Sequence, residues 1–171
     1  MIRLRSAIAA LAVLVCVPTL AFAQAKTGDK EFLVFANFNS IVGGGNGANG
    51  NGTIFLNVGK FFTDTQEVGG GPLLTISAGG GNGFSTTVGA NGFYRYYMKT
   101  KNPKLSPYFG GEGSCLDFSD FSNQFFVSGI VGLKDYLSQK AAIDIKGAVG
   151  FNPSTPSLVL ISVTAGLTFV F

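Results

Sequence analysis

The sequence predicts an all-β fold: an eight-stranded antiparallel up-and-down β-barrel of the membrane-spanning kind, following a cleaved signal peptide. Three observations predict it. Charged residues are only 12% of the chain, against about 25% in ordinary globular domains. Beyond residue 25 no apolar run is long enough for a spanning helix, which needs about 20 residues. Apolar residues instead recur at every second position in segment after segment, the period of a strand with one apolar face.

The N-terminal segment stands apart from this pattern. Arg3 and Arg5 precede an almost continuous apolar run over 7–20, and Ala21-Phe22-Ala23 then offers a small-x-small cleavage site. This is the layout of a secretory signal peptide. Residues 1–23 are expected to be removed after Ala23, with Ala25 as the alternative site, leaving 24–171 as one domain. Cys16 belongs to the discarded run. Cys115 remains alone, so no intrachain disulfide is expected. Without Arg3 and Arg5, ten basic residues face nine acidic ones, and no basic stripe argues for nucleic acid.

The strands are clearest at the C-terminus. Ile161, Val163, Ala165, Leu167, Phe169 and Phe171 share one face; Ser162, Thr164, Gly166, Thr168 and Val170 share the other. An apolar exterior around a small, polar interior produces this alternation. Over 141–151, Ile143, Ile145, Val149 and Phe151 are expected to face lipid, and Asp144, Lys146, Ala148 and Gly150 inward. Phe125, Val127, Val131 and Leu133 alternate with Phe126, Ser128, Ile130, Gly132 and Lys134. Over 107–116, Phe109 and Cys115 point outward and Gly110, Glu112 and Ser114 inward. Over 86–97, Val88, Ala90, Tyr94 and Tyr96 point outward and Asn91, Phe93 and Arg95 inward. Over 67–77, Val68, Leu74 and Ile76 point outward, with Pro72 expected at a bulge because it cannot donate to a ladder. Ile54, Leu56 and Val58 mark a strand over 53–62. Phe32, Val34, Ala36 and Phe38, alternating with Asn37 and Asn39, mark one over 31–41.

Eight strands of about 9–11 residues suit this length. With both termini in the periplasm, 63–66, 98–106 and 137–140 become periplasmic turns. Outer loops are then expected at 42–52, 78–83, 117–123 and 152–157. The string Gly-Gly-Gly-Asn-Gly occurs at 43–47 and again at 79–83. Residues 45–50 formally match G-x-G-x-x-G, but the segment that follows alternates as a strand rather than opening a helix. Asparagine stands where calcium-binding glycine repeats carry aspartate. These strings read as tight loop glycines, and no cofactor is expected.

The candidate site is the barrel interior. Glu67, Glu112 and Asp144 are expected to face inward with Arg95, Lys134 and Lys146, three charges against three. An eight-stranded barrel is just filled by its side chains, and buried charges must pair, so an ion-pair plug is expected, with Arg95–Glu112 as its first pair. Tyr94, Tyr96, Phe109, Phe169 and Phe171 are expected to form a girdle at the periplasmic strand ends. Lys99, Lys101 and Lys104 fall in one solvated turn, and Cys115 toward lipid near the outer leaflet. Histidine is absent. A Ser-His-Asp triad and histidine metal ligands are thereby excluded, and no enzymatic activity is expected.

The run Gly59-Lys60-Phe61-Phe62-Thr63-Asp64 with Glu67-Val68-Gly69, and Arg95-Tyr96-Tyr97 after it, resembles the second to fourth strands of small eight-stranded outer-membrane barrels. That group includes OmpA-like transmembrane domains. Lys60 stands where its members often carry an aromatic. The terminal Phe171, with Phe169, is similar to the C-terminal signal read by barrel-insertion machinery. The resemblance implies the outer membrane of a Gram-negative bacterium, with membrane lipid and that machinery as partners. The expected role is structural or surface-presenting, with a filled interior. The alternative is a narrow channel for small or apolar solutes. A secreted soluble barrel would need polar residues outside, which the last strand opposes.

Overall fold

The computed structural model describes residues 25–41, 49–78 and 84–171. The signal segment and most of the two glycine-asparagine loops, including both Gly-Gly-Gly-Asn-Gly strings, lie outside the described residues, as do the side chains of Phe38 and Asn39. Eight strands follow one another: β1 (Lys30–Ile41), β2 (Asn49–Thr63), β3 (Gln66–Ala78), β4 (Phe84–Tyr97), β5 (Leu105–Cys115), β6 (Phe125–Ser138), β7 (Ala141–Asn152) and β8 (Thr155–Val170). Each pairs antiparallel with the next, and β8 returns to β1, so the sheet closes into an up-and-down barrel. Closure gives each strand a neighbour on both sides, the arrangement that lets a sheet satisfy its backbone without exposed edges.

The alternation orients the side chains as the sequence predicts. Val131, Ile145, Ile161 and Val163 are exposed on the outside, and Ser128, Lys134, Asp144, Thr164 and Thr168 are buried within. Rings gather on the outer face at the end where the short turns lie: Tyr96 against Phe109 at 5.4 Å and Phe62 against Tyr94 at 6.2 Å. Phe169 pairs with Phe32 across the β8–β1 ladder, and Phe171 is exposed beyond it.

All strands but the 11-residue β5 exceed the expected length, reaching 16 residues in β8. β2 already begins at Asn49 and β8 at Thr155, inside the segments expected as loops 42–52 and 152–157. Ladder pairing with β1 and β7 overrides the weak strand preference of Gly, Asn and Pro there. The segment 117–123 is a loop between strands, but it contains a 3-10 turn (Phe118–Asp120) and runs into one helical turn (Phe121–Gln124). Pro72 is not at a bulge. The β2–β3 ladder lapses opposite Gly71 and Pro72 and resumes in the same register, while Pro72 pairs with Ala90 of β4. Cys115 has outward parity, yet it is buried rather than lipid-facing. Its thiol donates to the Asp117 carbonyl, where the chain turns back at the end of β5.

Among the described residues, two apolar clusters fill the interior. Leu33, Phe35, Phe55, Leu73 and Phe93 form one, and Ala25, Phe61, Tyr97, Tyr108, Ile130 and Ala148 form the other. Inward glycines make room for these rings. A Cβ on Gly132 would collide with the Tyr108 ring and come within 2.7 Å of the Ile145 carbonyl. On Gly59 it would collide with the Glu67 carboxylate. Residues 25–29 close the turn end: Ala25 is buried beside Phe61, and the Gly28 amide donates to the Phe61 carbonyl at 2.8 Å.

Candidate functional site

All six expected interior charges are buried: Glu67, Arg95, Lys134 and Asp144 are 0% exposed, Lys146 2% and Glu112 7%. The barrel brings them together in two groups. In the first, Glu67 and Arg95 face each other across the β3–β4 ladder. Arg95 Nη1 stands 3.6 Å from Glu67 Oε2 and reaches across the lumen to Asp144 Oδ2 at 3.2 Å. Two phenols complete the carboxylates, Tyr97 donating to Glu67 Oε2 and Tyr108 to Asp144 Oδ1, both at 2.7 Å. Lys134 spans from Glu67, at 3.7 Å, to Glu31, with which it makes a close ion pair. In the second group Lys146 pairs with Glu112.

Two sequence expectations are corrected. Arg95 does not pair with Glu112: Arg95 lies opposite Gly110 and Glu112 opposite Phe93, so the register sets them two residues apart. The charges also do not balance three against three, because Glu31 is a fourth buried carboxylate. Its inward parity follows from Phe32 pointing out, but it sits at the start of β1, before the alternation is established.

Sequence reasoning also left the inward aromatics out of the site. Arg95 is roofed by Phe93 at 4.3 Å and Tyr108 at 4.7 Å, one from each apolar cluster. Lys134 lies 5.0 Å from the Tyr97 ring, and Lys146 5.2 Å from that of Phe55. Each cation thus has carboxylate oxygens and an aromatic face in place of water, and both interactions strengthen when solvent is excluded. The signal was present: Phe35 shares parity with Leu33, Phe55 with Thr53 and Asn57. It is hard to read because β1 and β2 are apolar on both faces. Beside the second cluster, a cavity of about 10 Å³ bordered by Ala25, Phe61, Tyr97 and Tyr136 has room for about one water.

This arrangement can hold charge and obstruct a lumen. Among the described residues, the interior polar groups are carboxylates, amides, phenols, hydroxyls, two lysines and one arginine, each cation engaged by acids.

No family model and no curated protein matches the chain. Solved structures do. A de novo designed transmembrane β-barrel superposes with a TM-score of 0.52 at 14% identity, over 86% of this chain and 99% of that one. The N-terminal β-barrel domain of Pseudomonas aeruginosa OprF gives 0.51 at 15% identity, over 86% of this chain and 100% of that one. The chain therefore has the fold of the small eight-stranded transmembrane barrels, as its sequence resemblance implied.

Proposed function

We propose that the protein is an integral outer-membrane β-barrel of a Gram-negative envelope, with a structural or surface-presenting role and a lumen closed by its own side chains. One observation carries this reading: the barrel is apolar outside and charged inside, and the inner charges are paired and roofed by rings. Ile161 and Val163 are 72% and 70% exposed on the outer wall, whereas Arg95, Lys134 and Asp144 are 0% exposed within. A water-soluble barrel has no use for such an outer wall, since large apolar surface in water invites association. The fold it shares with transmembrane barrels supports the same reading by analogy.

The lumen favours closure over conduction. An ion crossing it would have to pass the two aromatic clusters and displace Arg95 from both Glu67 and Asp144. Planar-bilayer recording of the folded protein tests this. The expected result is no resolved conductance step. Reproducible unitary steps would replace the closed barrel with the narrow-channel reading. Retention in the membrane pellet after carbonate extraction is expected, and release into the supernatant would overturn the integral assignment.

A further inference from the structure

The charges outside the lumen are segregated by end. Lys26, Lys30, Lys60, Lys99, Lys101, Lys104 and Lys140 all lie at the turn end, with Asp29, Asp64 and Asp135. The loop end carries Asp117 and Asp120, and residues 42–48 and 79–83 contribute no charged residue. Most of these lysines sit in turns, where solvent accounts for them.

Lys30 and Lys60 are different. Both lie within strands, exposed on the outer face, and they are direct partners across the β1–β2 ladder. Like charges so placed repel, and neither is in an ion pair among the described residues. Their surroundings are apolar. Phe32 follows Lys30 on the same face, Val58 and Phe62 flank Lys60, and Val68 pairs with Lys60 on its other side. The Phe171 amide and carbonyl bond Lys30 from β8's side. Lys30 and Lys60 therefore sit at the ring-rich turn end of the apolar wall, where, on the integral-membrane reading, a bilayer would present its headgroups. Long stems let lysines lie along apolar surface and lift their charge to that level.

We propose that Lys30 and Lys60 form a binding site for the phosphate of an anionic phospholipid headgroup in the leaflet at the turn end. One phosphodiester between the two ammonium groups would remove their mutual repulsion, while the acyl chains lie against Phe32, Val58 and Val68. The remaining turn-end lysines add a longer-range attraction that falls off within a Debye length. The site rests on the integral-membrane reading, because a barrel outside a bilayer would meet no such headgroup.

The test uses the full mature protein folded in phosphatidylcholine vesicles and in vesicles containing phosphatidylglycerol. Native mass spectrometry of the extracted barrel counts retained lipid. Wild-type protein is expected to keep phosphatidylglycerol in preference to phosphatidylcholine. The Lys30→Gln/Lys60→Gln variant is expected to keep it about thirtyfold less well, at about 1 kcal/mol for each lysine near a lipid surface. Lys30→Arg/Lys60→Arg is expected to retain it, and raised salt to weaken it. Undiminished phosphatidylglycerol retention by the glutamine variant, or equal retention of both lipids by wild type, overturns the site while leaving the barrel in the membrane. Failure of the wild type to enter either vesicle would overturn both this site and the integral reading. Pull-down of a periplasmic protein that depends on Lys30 and Lys60, without lipid preference, would overturn the lipid assignment in favour of a protein partner.

Discussion

Glu112 and Lys146 illustrate how much of the interior single residues disclose. Their inward direction is readable from parity alone, since Lys146 alternates with Ile145 and Glu112 with Phe109. Their partnership is not readable, because it depends on how far β5, β6 and β7 are staggered. Among the described residues the pair makes no ion contact with Arg95 but shares the Phe35 ring with it, Lys146 lying against the rings of Phe35 and Phe55. Removing one member leaves the other charge buried, which typically costs about 3–5 kcal/mol, whereas replacing both with apolar residues of similar volume is often neutral. Lys146→Met is therefore expected to destabilise the folded barrel by that amount, and Glu112→Leu/Lys146→Met to recover most of it. Urea unfolding in lipid vesicles measures both. Additive losses would mean that the two groups do not act as a pair. Glu31 makes the complementary point: its parity was visible, but only the barrel brings it to Lys134, a residue three strands away through β1's ladder with β8.

At the scale of the strand, β8 provides the sharpest contrast. Val163 is 70% exposed outside and Thr164 1% exposed inside. An arginine at the bilayer midplane costs about 2–4 kcal/mol, so Val163→Arg is expected to lower membrane stability by that amount. Thr164→Arg adds a fourth cation and excess volume to a packed lumen beside Lys146, so its effect is expected to depend on Glu112, the acid that pairs with Lys146, rather than on the bilayer's thickness. Equal sensitivity of both variants to acyl-chain length would contradict the face assignment.

The segment before β1 depends on a different force. The Thr27 hydroxyl and amide donate to Asp64 Oδ1 at 2.6 and 2.9 Å, and these bonds hold the Asp64 carboxyl below its ordinary value. A carboxyl depressed by folding contributes stability above its ordinary value, and that contribution is lost as pH falls through the depressed one. Acidification below about pH 4 is therefore expected to free residues 25–29 while the barrel stays closed. The Gly28 and Phe61 amides, which bond to the Phe61 and Asp29 carbonyls, report it. Protection of these amides, taken relative to their intrinsic exchange rates at each pH, is expected to fall in acid in the wild type and to be low at neutral pH in Asp64→Asn. Protection that does not change with pH would exclude the tether.

For the whole molecule the decisive element is the seam. The β1–β8 ladder runs only from Glu31↔Val170 to Ala36↔Ala165, whereas β1 pairs with β2 along its entire length from Lys30 to Ile41. Closure therefore rests on the half of the barrel nearest the turns. Ala36 and Ala165 are direct partners with outward parity, so cysteines at both positions, in a Cys115→Ser background, are expected to cross-link on oxidation. The bond closes most of the mature chain into one loop and is expected to add about 2–4 kcal/mol. Its formation in the membrane-folded protein, followed by non-reducing gel mobility, checks closure and register together. Cross-linking of Phe32 with Ala165 instead would reveal a slipped seam. Strand number and direction were legible because each strand repeats one simple pattern. Pro72 and the starts of β2 and β8 were misread because pairing across the sheet, rather than local propensity, decides where a ladder begins and lapses.

Alternation by itself pointed to eight strands, to the face on which most strand side chains lie, and to the inward direction of Glu67, Arg95, Glu112, Lys134, Asp144 and Lys146, because a strand's period of two needs no knowledge of its neighbours. Only the tertiary structure decided which carboxylate each cation meets, that Glu31 joins them, that rings cover all three cations, and that Lys30 and Lys60 stand side by side. These depend on register and on contacts across the lumen, and sliding one strand by two residues would preserve every face while changing every partner.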